Sequence, residues 1–369
     1  MNNTNFKNII IFVLALISLL FYGSYFGLEE YYSKKHPVDP MELKAAELMA
    51  EAEKIIFRCQ QEKGLHPENN IFDPNQTGLI GLEYSPLTTT VGNLEAKRTT
   101  TNPNMAALLV HLLRQAGVKR ADVVAVGASS SFPALILSVY CAARAMEVEL
   151  LVINSLGASQ WGANNPEFSW LEIEDCLRQT GLTRHRLLAI SWGGEDDSGR
   201  DFPEDFKARI LQKASQLQLR ILNYGLLEAT VRERVSLYFQ AAGNRKIKAF
   251  INIGGSLANL GTDSSVLQLR PGLTEIRKIP PALKRGVIQE MARRGIPVIH
   301  LLNIRGLVEH YGLPWDPQPL PRPGENISWK DNHLERQTLI ALFIVYVTVC
   351  VLSVIGLGLI RRKRGQLAP

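Results

Sequence analysis

The chain has 369 residues, 46% hydrophobic and 21% charged, with 41 Lys and Arg against 35 Asp and Glu for a formal charge of +6. That length supports one large or two small domains with a substantial core. Arg361, Arg362, Lys363 and Arg364 carry much of the excess at one end and no basic–aromatic interleaving occurs in the body, so no nucleic-acid partner is expected.

Residues 9–28 are uncharged and apolar, end in Phe21, Tyr22, Tyr25 and Phe26, and are long enough to cross a bilayer. A cleaved signal peptide is the rival reading. The length of the apolar part and the lack of a small-x-small site before Glu29 favour an uncleaved anchor. Residues 338–360 form a second uncharged span. The basic tail 361–369 directly behind it outweighs Lys330 and Arg336 on its other side. Two spans in the cell (inner) membrane, both termini cytoplasmic and the body outside, are therefore predicted. Lys7, opposed by Lys34 and Lys35, gives the first span no orientation of its own.

Residues 39–64 read as an amphipathic helix, with Asp39 as N-cap, Pro40 in the first turn and Leu48, Ala52, Ile55, Ile56 and Cys59 on one face. It packs on the body or extends from the membrane. Cys350 falls in the second span; Cys59, Cys141 and Cys176 each fall in a helical pattern. One disulfide is allowed outside the cell, but a buried apolar thiol is the expectation for each. No Cys/His spacing suits zinc.

The hydroxyl-rich segments 85–90 and 99–101 flank a basic pair. They read as a short β-hairpin with a solvated Lys-Arg pair, or as a carboxylate- or phosphate-binding set of Thr89, Thr90, Lys97 and Arg98. A helix follows over 105–117.

From residue 122, strand-length runs at 122–126, 148–154, 187–191, 219–222, 247–253 and 298–302 alternate with helical patterns at 133–146, 170–180, 204–216, 230–242 and 281–294. That alternation predicts an α/β fold: a single doubly wound, mainly parallel, Rossmann-like sheet over 75–325, flanked by one transmembrane helix at each end. Ligands bind such sheets beyond the carboxyl ends of the strands. The loops there supply Gly127, Ser129, Ser130 and Ser131, then Asn154, Ser159, Trp161 and Asn164, then Gly254, Gly255 and Ser256. Ser131 or Phe132 would cap the helix opening at Pro133, whose free N–H groups favour an anion.

Three chemistries fit these loops. Ser129 or Ser131 with Asp196 or Asp197 and His300 follows the Ser…Asp…His order of α/β-hydrolases, although Ser131 breaks their G-x-S-x-G pattern. Glu195, Asp196 and Asp197 offer hard oxygen ligands to Mg²⁺ or Ca²⁺, or form a solvated, helix-capping acidic loop. A crevice that binds an anionic or peptide-like chain needs no reaction. No Walker loop, G-x-G-x-x-G or H-E-x-x-H occurs, so no cofactor is assigned.

Tyr84-Ser85-Pro86-Leu87-Thr88-Thr89-Thr90, Ala96-Lys97-Arg98-Thr99-Thr100-Thr101-Asn102-Pro103, the stretch 124–135, Ala158-Ser159-Gln160-Trp161-Gly162-Ala163-Asn164 and Asn252-Ile253-Gly254-Gly255 resemble the poly-γ-glutamate system protein family. These bacterial membrane proteins accompany the machinery that makes and exports poly-γ-glutamate. The resemblance covers most of residues 40–310, with Ser130 standing where the family loop Ser-Gly-Ser-Phe-Pro has Gly. It implies an accessory component of polymer or capsule biosynthesis or export. Its partners would be poly-γ-glutamate or another anionic polymer, the membrane, and synthase or transport subunits. It implies no catalytic residues. A Ser-nucleophile hydrolase or transferase of the γ-glutamyl polymer, and a sugar- or nucleotide-binding module, stay open.

Overall fold

A computed structural model describes residues 3–35, 38–65, 70–178, 181, 185–194, 197–325, 327, 329 and 333–366. The chain divides into two units, Val38–Ile327 and the pair Met1–Pro37 with Ser328–Pro369.

Helix α1 (Asn3–Lys35) contains the apolar stretch Phe6–Leu28, with mean hydropathy 2.4. Helix α2 (Pro40–Glu62) opens the second unit. Its cap is the expected one: Asp39 Oδ1 accepts from the Met41 and Glu42 N–H groups at 2.8 and 3.3 Å. Ala45, Ala46, Met49, Ala52 and Ile56 are buried along one stripe. That stripe faces helices of the body, so α2 is part of it and does not stand apart.

Strand β1 (Thr88–Thr90), α3 (Leu94–Thr100) and α4 (Asn104–Gln115) follow. Residues 85–101 are thus not a hairpin. Asn93 Oδ1 caps the Ala96 N–H at 2.7 Å. The Thr99 and Thr100 hydroxyls donate back to the carbonyls of Glu95 and Lys97, each at 2.7 Å, which settles these residues into a helix despite their strand preference.

Next come β2 (Val123–Ser129), α5 (Pro133–Met146), β3 (Glu149–Ser155), the two-residue strands β4 (Ala158–Ser159), β5 (Asn164–Asn165) and β6 (Phe168–Ser169), α6 (Trp170–Arg178), β7 (His185–Ser191), α7 (Glu204–Gln216), β8 (Arg220–Leu222), α8 (Leu227–Ala242), β9 (Ile247–Ile253), α9 (Leu257–Leu260), β10 (Gly272–Thr274), α10 (Val287–Arg293), β11 (Val298–Leu301) and α11 (Ile304–Tyr311). Phe132 is the N-cap of α5, one of the two residues expected there. The helix expected over 281–294 is shorter. Gln289 Oε1 accepts from the Gly286 N–H at 2.7 Å and its amide donates to the Leu260 carbonyl at 2.9 Å, so Ala282–Lys284 is a separate 3₁₀ turn.

The main sheet has seven strands in the order β10-β11-β9-β2-β3-β7-β8, all parallel except the three-residue edge strand β10. From β2 the chain steps outward through β3, β7 and β8, then returns to the other side of β2 for β9 and β11. Strand order therefore reverses between β2 and β9. Val123, Ala125, Leu151, Ile153 and Phe250 pack with Val231, Tyr238, Val287 and Met291 of α8 and α10 in one core cluster. A second cluster joins Leu156, Ile190 and Trp192 to Phe206 and Ile210 of α7. Each buried Val, Leu, Ile, Phe or Met among them contributes about 1.5–3 kcal/mol. Helices α2, α4 and α5 pack against one another.

Two of the cysteines depart from the expected buried thiol. Cys59 of α2 and Cys176 of α6 form a disulfide across 117 residues, while Cys141 is free and buried, its thiol pushed up by burial and by the Glu53 carboxyl.

Helix α12 (His333–Gln366) carries Ile340–Ile360, with mean hydropathy 2.8. Within the unit formed by the two ends it touches α1: the Ser18 and Tyr346 hydroxyls are 2.9 Å apart and the Phe21 and Tyr346 rings meet edge-on at 5.4 Å. By length and composition both helices are able to cross a membrane.

Candidate functional site

Three adjacent strands end on serine at one register. Ser129 of β2 pairs with Ser155 of β3, which pairs with Ser191 of β7. The fully buried Arg234 of α8 gathers two of them. Its Nη2 donates to Ser155 Oγ at 3.1 Å, Ser191 Oγ at 2.6 Å and Asp197 Oδ2 at 2.6 Å. Asp197 Oδ1 also accepts from the Ser191 hydroxyl at 2.7 Å and the Gly193 N–H at 3.0 Å. Ser256 Oγ lies 3.4 Å from Ser155 Oγ. Arg234 Nε and Nη1 have no partner among the described residues.

Ser129 is on the other side of this network, beside the reversal of strand order. Its Oγ is buried without a partner among the described residues. Gly254, at φ +78°, runs against that oxygen, and a Cβ there would collide with it. Gly127 lies under the Asn259 carboxamide, where a Cβ would come within 2.7 Å of both amide atoms. Asn259 is buried with neither amide atom partnered. Asn252 of β9 donates from Nδ2 to the Gly254 carbonyl at 3.0 Å and to His300 Nδ1 at 3.1 Å, and its Oδ1 has no partner. A Cβ at Gly255 would find only Leu302, at 3.9 Å, within 4 Å.

A third cluster surrounds Lys97, which is 2% exposed. Its Nζ donates to the Ser131 carbonyl, lies 2.6 Å from Ser159 Oγ and stands 3.9 Å over the Phe132 ring. Burial lowers its pKa from 10.5 to about 7. Ser131 Oγ accepts from the Ser159 N–H at 3.0 Å.

The other expected site residues have internal partners. Arg98 grips Asp316 through two bonds of 2.7 and 2.6 Å, so its guanidinium is engaged within the fold. Thr89 donates to the Ala158 carbonyl at 3.2 Å, and the Thr90 carbonyl accepts from the Gln160 N–H at 3.1 Å. Ser130 donates to the Ser155 carbonyl at 2.9 Å and accepts from Asn154 Nδ2 at 3.0 Å, leaving Asn154 Oδ1 unpartnered. Asn164 holds both backbone groups of Leu82, at 2.9 and 2.8 Å. Trp161 sits at φ +55° with its indole N–H unpartnered.

The Ser–Asp–His arrangement does not assemble. His300 of β11 pairs with Asn252, which pairs with Gly127, so β9 stands between it and β2. Two strand spacings are about 10 Å, beyond direct proton transfer. Burial instead holds His300 at about 4, with Nδ1 accepting from Asn252. Glu195 and Asp196 lie outside the described residues, Asp197 is bound to Arg234, and no metal-binding group of acids, His and Cys occurs among the described residues.

No family model, curated protein or solved structure matches this chain. Ser155, Ser191, Arg234 and Asn259 were not singled out by sequence reasoning, whereas Ser129 was, and Asn252 entered only within the resembling stretch 252–255. One signal existed for Arg234: it interrupts the buried stripe Val231, Val235, Tyr238, Ala242 at helical spacing.

Proposed function

We propose that this is a membrane-held protein whose doubly wound, Rossmann-like domain binds an amide-bearing anionic polymer in the crevice between β2 and β9. The resemblance implies poly-γ-glutamate, and an accessory role beside synthase or transport subunits. One observation carries the reading: Ser129 Oγ, Asn252 Oδ1 and both amide atoms of Asn259 are buried and, among the described residues, unpartnered at the place where strand order reverses. Buried polar groups are normally hydrogen-bonded, and ligands of open α/β sheets bind at that reversal. A carboxamide with a free N–H and a free carbonyl matches a secondary amide, which offers the same two groups. Each γ-glutamyl unit contains one such amide and one carboxylate. The reading leans on amides because Arg98 is paired and Lys97 is partly neutral near pH 7.

The body lies outside the membrane in this reading and both termini in the cytoplasm. The two apolar helices, the basic tail and the Cys59–Cys176 disulfide support it, since disulfides persist in oxidising compartments.

Titrating the full-length protein in nanodiscs with γ-linked glutamate oligomers, and with α-linked ones of equal length, tests the proposal. Preference for the γ-linked chain is expected. Asn259→Ala and Ser129→Ala should each weaken binding by about 5- to 100-fold, the loss of one or two hydrogen bonds, without lowering Tm. Absence of γ-oligomer binding would overturn the assignment.

A further inference from the structure

We infer that Ser159 and Lys97 form a nucleophile–base pair for acyl transfer, distinct from the serines at the end of β2. The geometry is that of a hydroxyl held on an amine: Nζ to Oγ is 2.6 Å. The rest of the lysine is fixed around that contact. One N–H is directed to the Ser131 carbonyl, and the Phe132 ring closes the other side at 3.9 Å. Among the described residues no carboxylate pairs with Nζ, and desolvation alone brings the amine to about 7. A buried ammonium without a counter-ion is costly, whereas a neutral amine here has two N–H groups and a lone pair. The lone pair is then free to accept the Ser159 O–H. Ser159 is itself clamped, with its N–H on Ser131 Oγ at 3.0 Å. Two residues on, Trp161 is held in the left-handed region, a strained conformation for a bulky residue and one that clusters at functional sites.

The step is balanced by the groups present and water. Lys97 takes the Ser159 proton as Oγ bonds to the carbonyl carbon of an amide or ester, and the carbonyl π pair moves to oxygen. When the intermediate collapses, the C–N or C–O bond breaks and the Lys97 ammonium gives its proton to the leaving nitrogen or oxygen. Water, or an incoming amine, deprotonated by Lys97 then attacks the acyl carbon; its bond to Ser159 Oγ breaks and the Lys97 ammonium returns its proton to that oxygen. Ser159 is 7% exposed; it pairs with Thr90 of β1, and the Gly92 N–H two residues on donates to Gln160 Oε1 at 3.0 Å. Moving that short segment is the route in.

The test is labelling of the full-length protein in nanodiscs with a small fluorophosphonate, the adduct being mapped by tandem mass spectrometry. A single adduct on Ser159 is expected, forming at a rate that rises with pH through an inflection near 7. Lys97→Met should slow it about 100-fold or more while keeping Tm at or above the parent value, since it removes a buried amine and keeps the stem. An adduct on Ser129 or Ser131, no adduct, a pH-independent rate, or an undiminished rate in Lys97→Met would overturn the assignment. The probe is not a polymer, so this result stands apart from γ-oligomer binding. Ser159→Ala should abolish labelling.

Discussion

Arg234 and Asp197 show how a single buried pair organises the strand ends. Their 2.6 Å contact is desolvated on both sides, so replacing either partner alone leaves an uncompensated charge. Arg234→Met should destabilise by about 3–5 kcal/mol, read by urea unfolding, and Arg234→Met with Asp197→Leu should recover much of that loss. His300 sets a pH dependence. Its folded value of about 4 lies below its ordinary 6.5, so the unfolded chain binds the extra proton between them and stability falls as pH drops through that window. Lys97 acts likewise between about 7 and 10.5, where stability rises with pH. Tm against pH should show both slopes. His300→Phe should flatten the first and Lys97→Met the second. Residue types at the strand ends were legible in the sequence, because Ser and Asn follow apolar runs. Their partners were not: the pairing of His300 with Asn252 depends on which strands are neighbours, and the order of runs along the chain does not encode that.

At the scale of elements, strong periodicity was the reliable guide. The runs at 123–126, 149–154 and 247–253 fold as strands, and Pro133 opens its helix as expected. Segments whose local chemistry competes with their composition misled. The Thr-rich stretch at 99–101 favours strand by propensity, yet its hydroxyls find carbonyls one turn back. The 281–294 pattern is interrupted by a side-chain contact to α9 that no periodicity records. Asp39 both caps α2 and pairs with Arg114 at 2.9 Å. Asp39→Ala should cost about 1 kcal/mol or somewhat more in thermal unfolding. The disulfide pins α2 to α6, and its reduction should lower stability by roughly 2–5 kcal/mol. An unchanged Tm under reductant would show that α2 is held by packing alone. Nothing in the positions of three cysteines could select Cys59 with Cys176, since that choice is made by helix packing.

For the molecule as a whole, the mixed α/β class and the two long apolar helices were readable from alternation and hydropathy, signals that average over many residues. The position of β9 was not, because it follows from a crossover that skips three strands. If both apolar helices span the bilayer, the protein should resist carbonate extraction, and a reporter after Pro369 should be active only in the cytoplasm. A reporter active outside would reverse the proposed orientation.

The placement of β9 also sets a timetable for folding. Val123 finds Glu149 soon after it is made, but its other neighbour, Ile247, lies about 120 residues downstream. At about 5–20 residues per second, that interval is about 6–25 s of synthesis. Throughout it, the strand that becomes the middle of the sheet has one edge unpaired, a surface to which any extended chain can add. The centre of this fold therefore stays open until β9 is made, and only β10 and β11 are added after it. Nascent chains arrested before residue 247 are the form in which it most needs a chaperone.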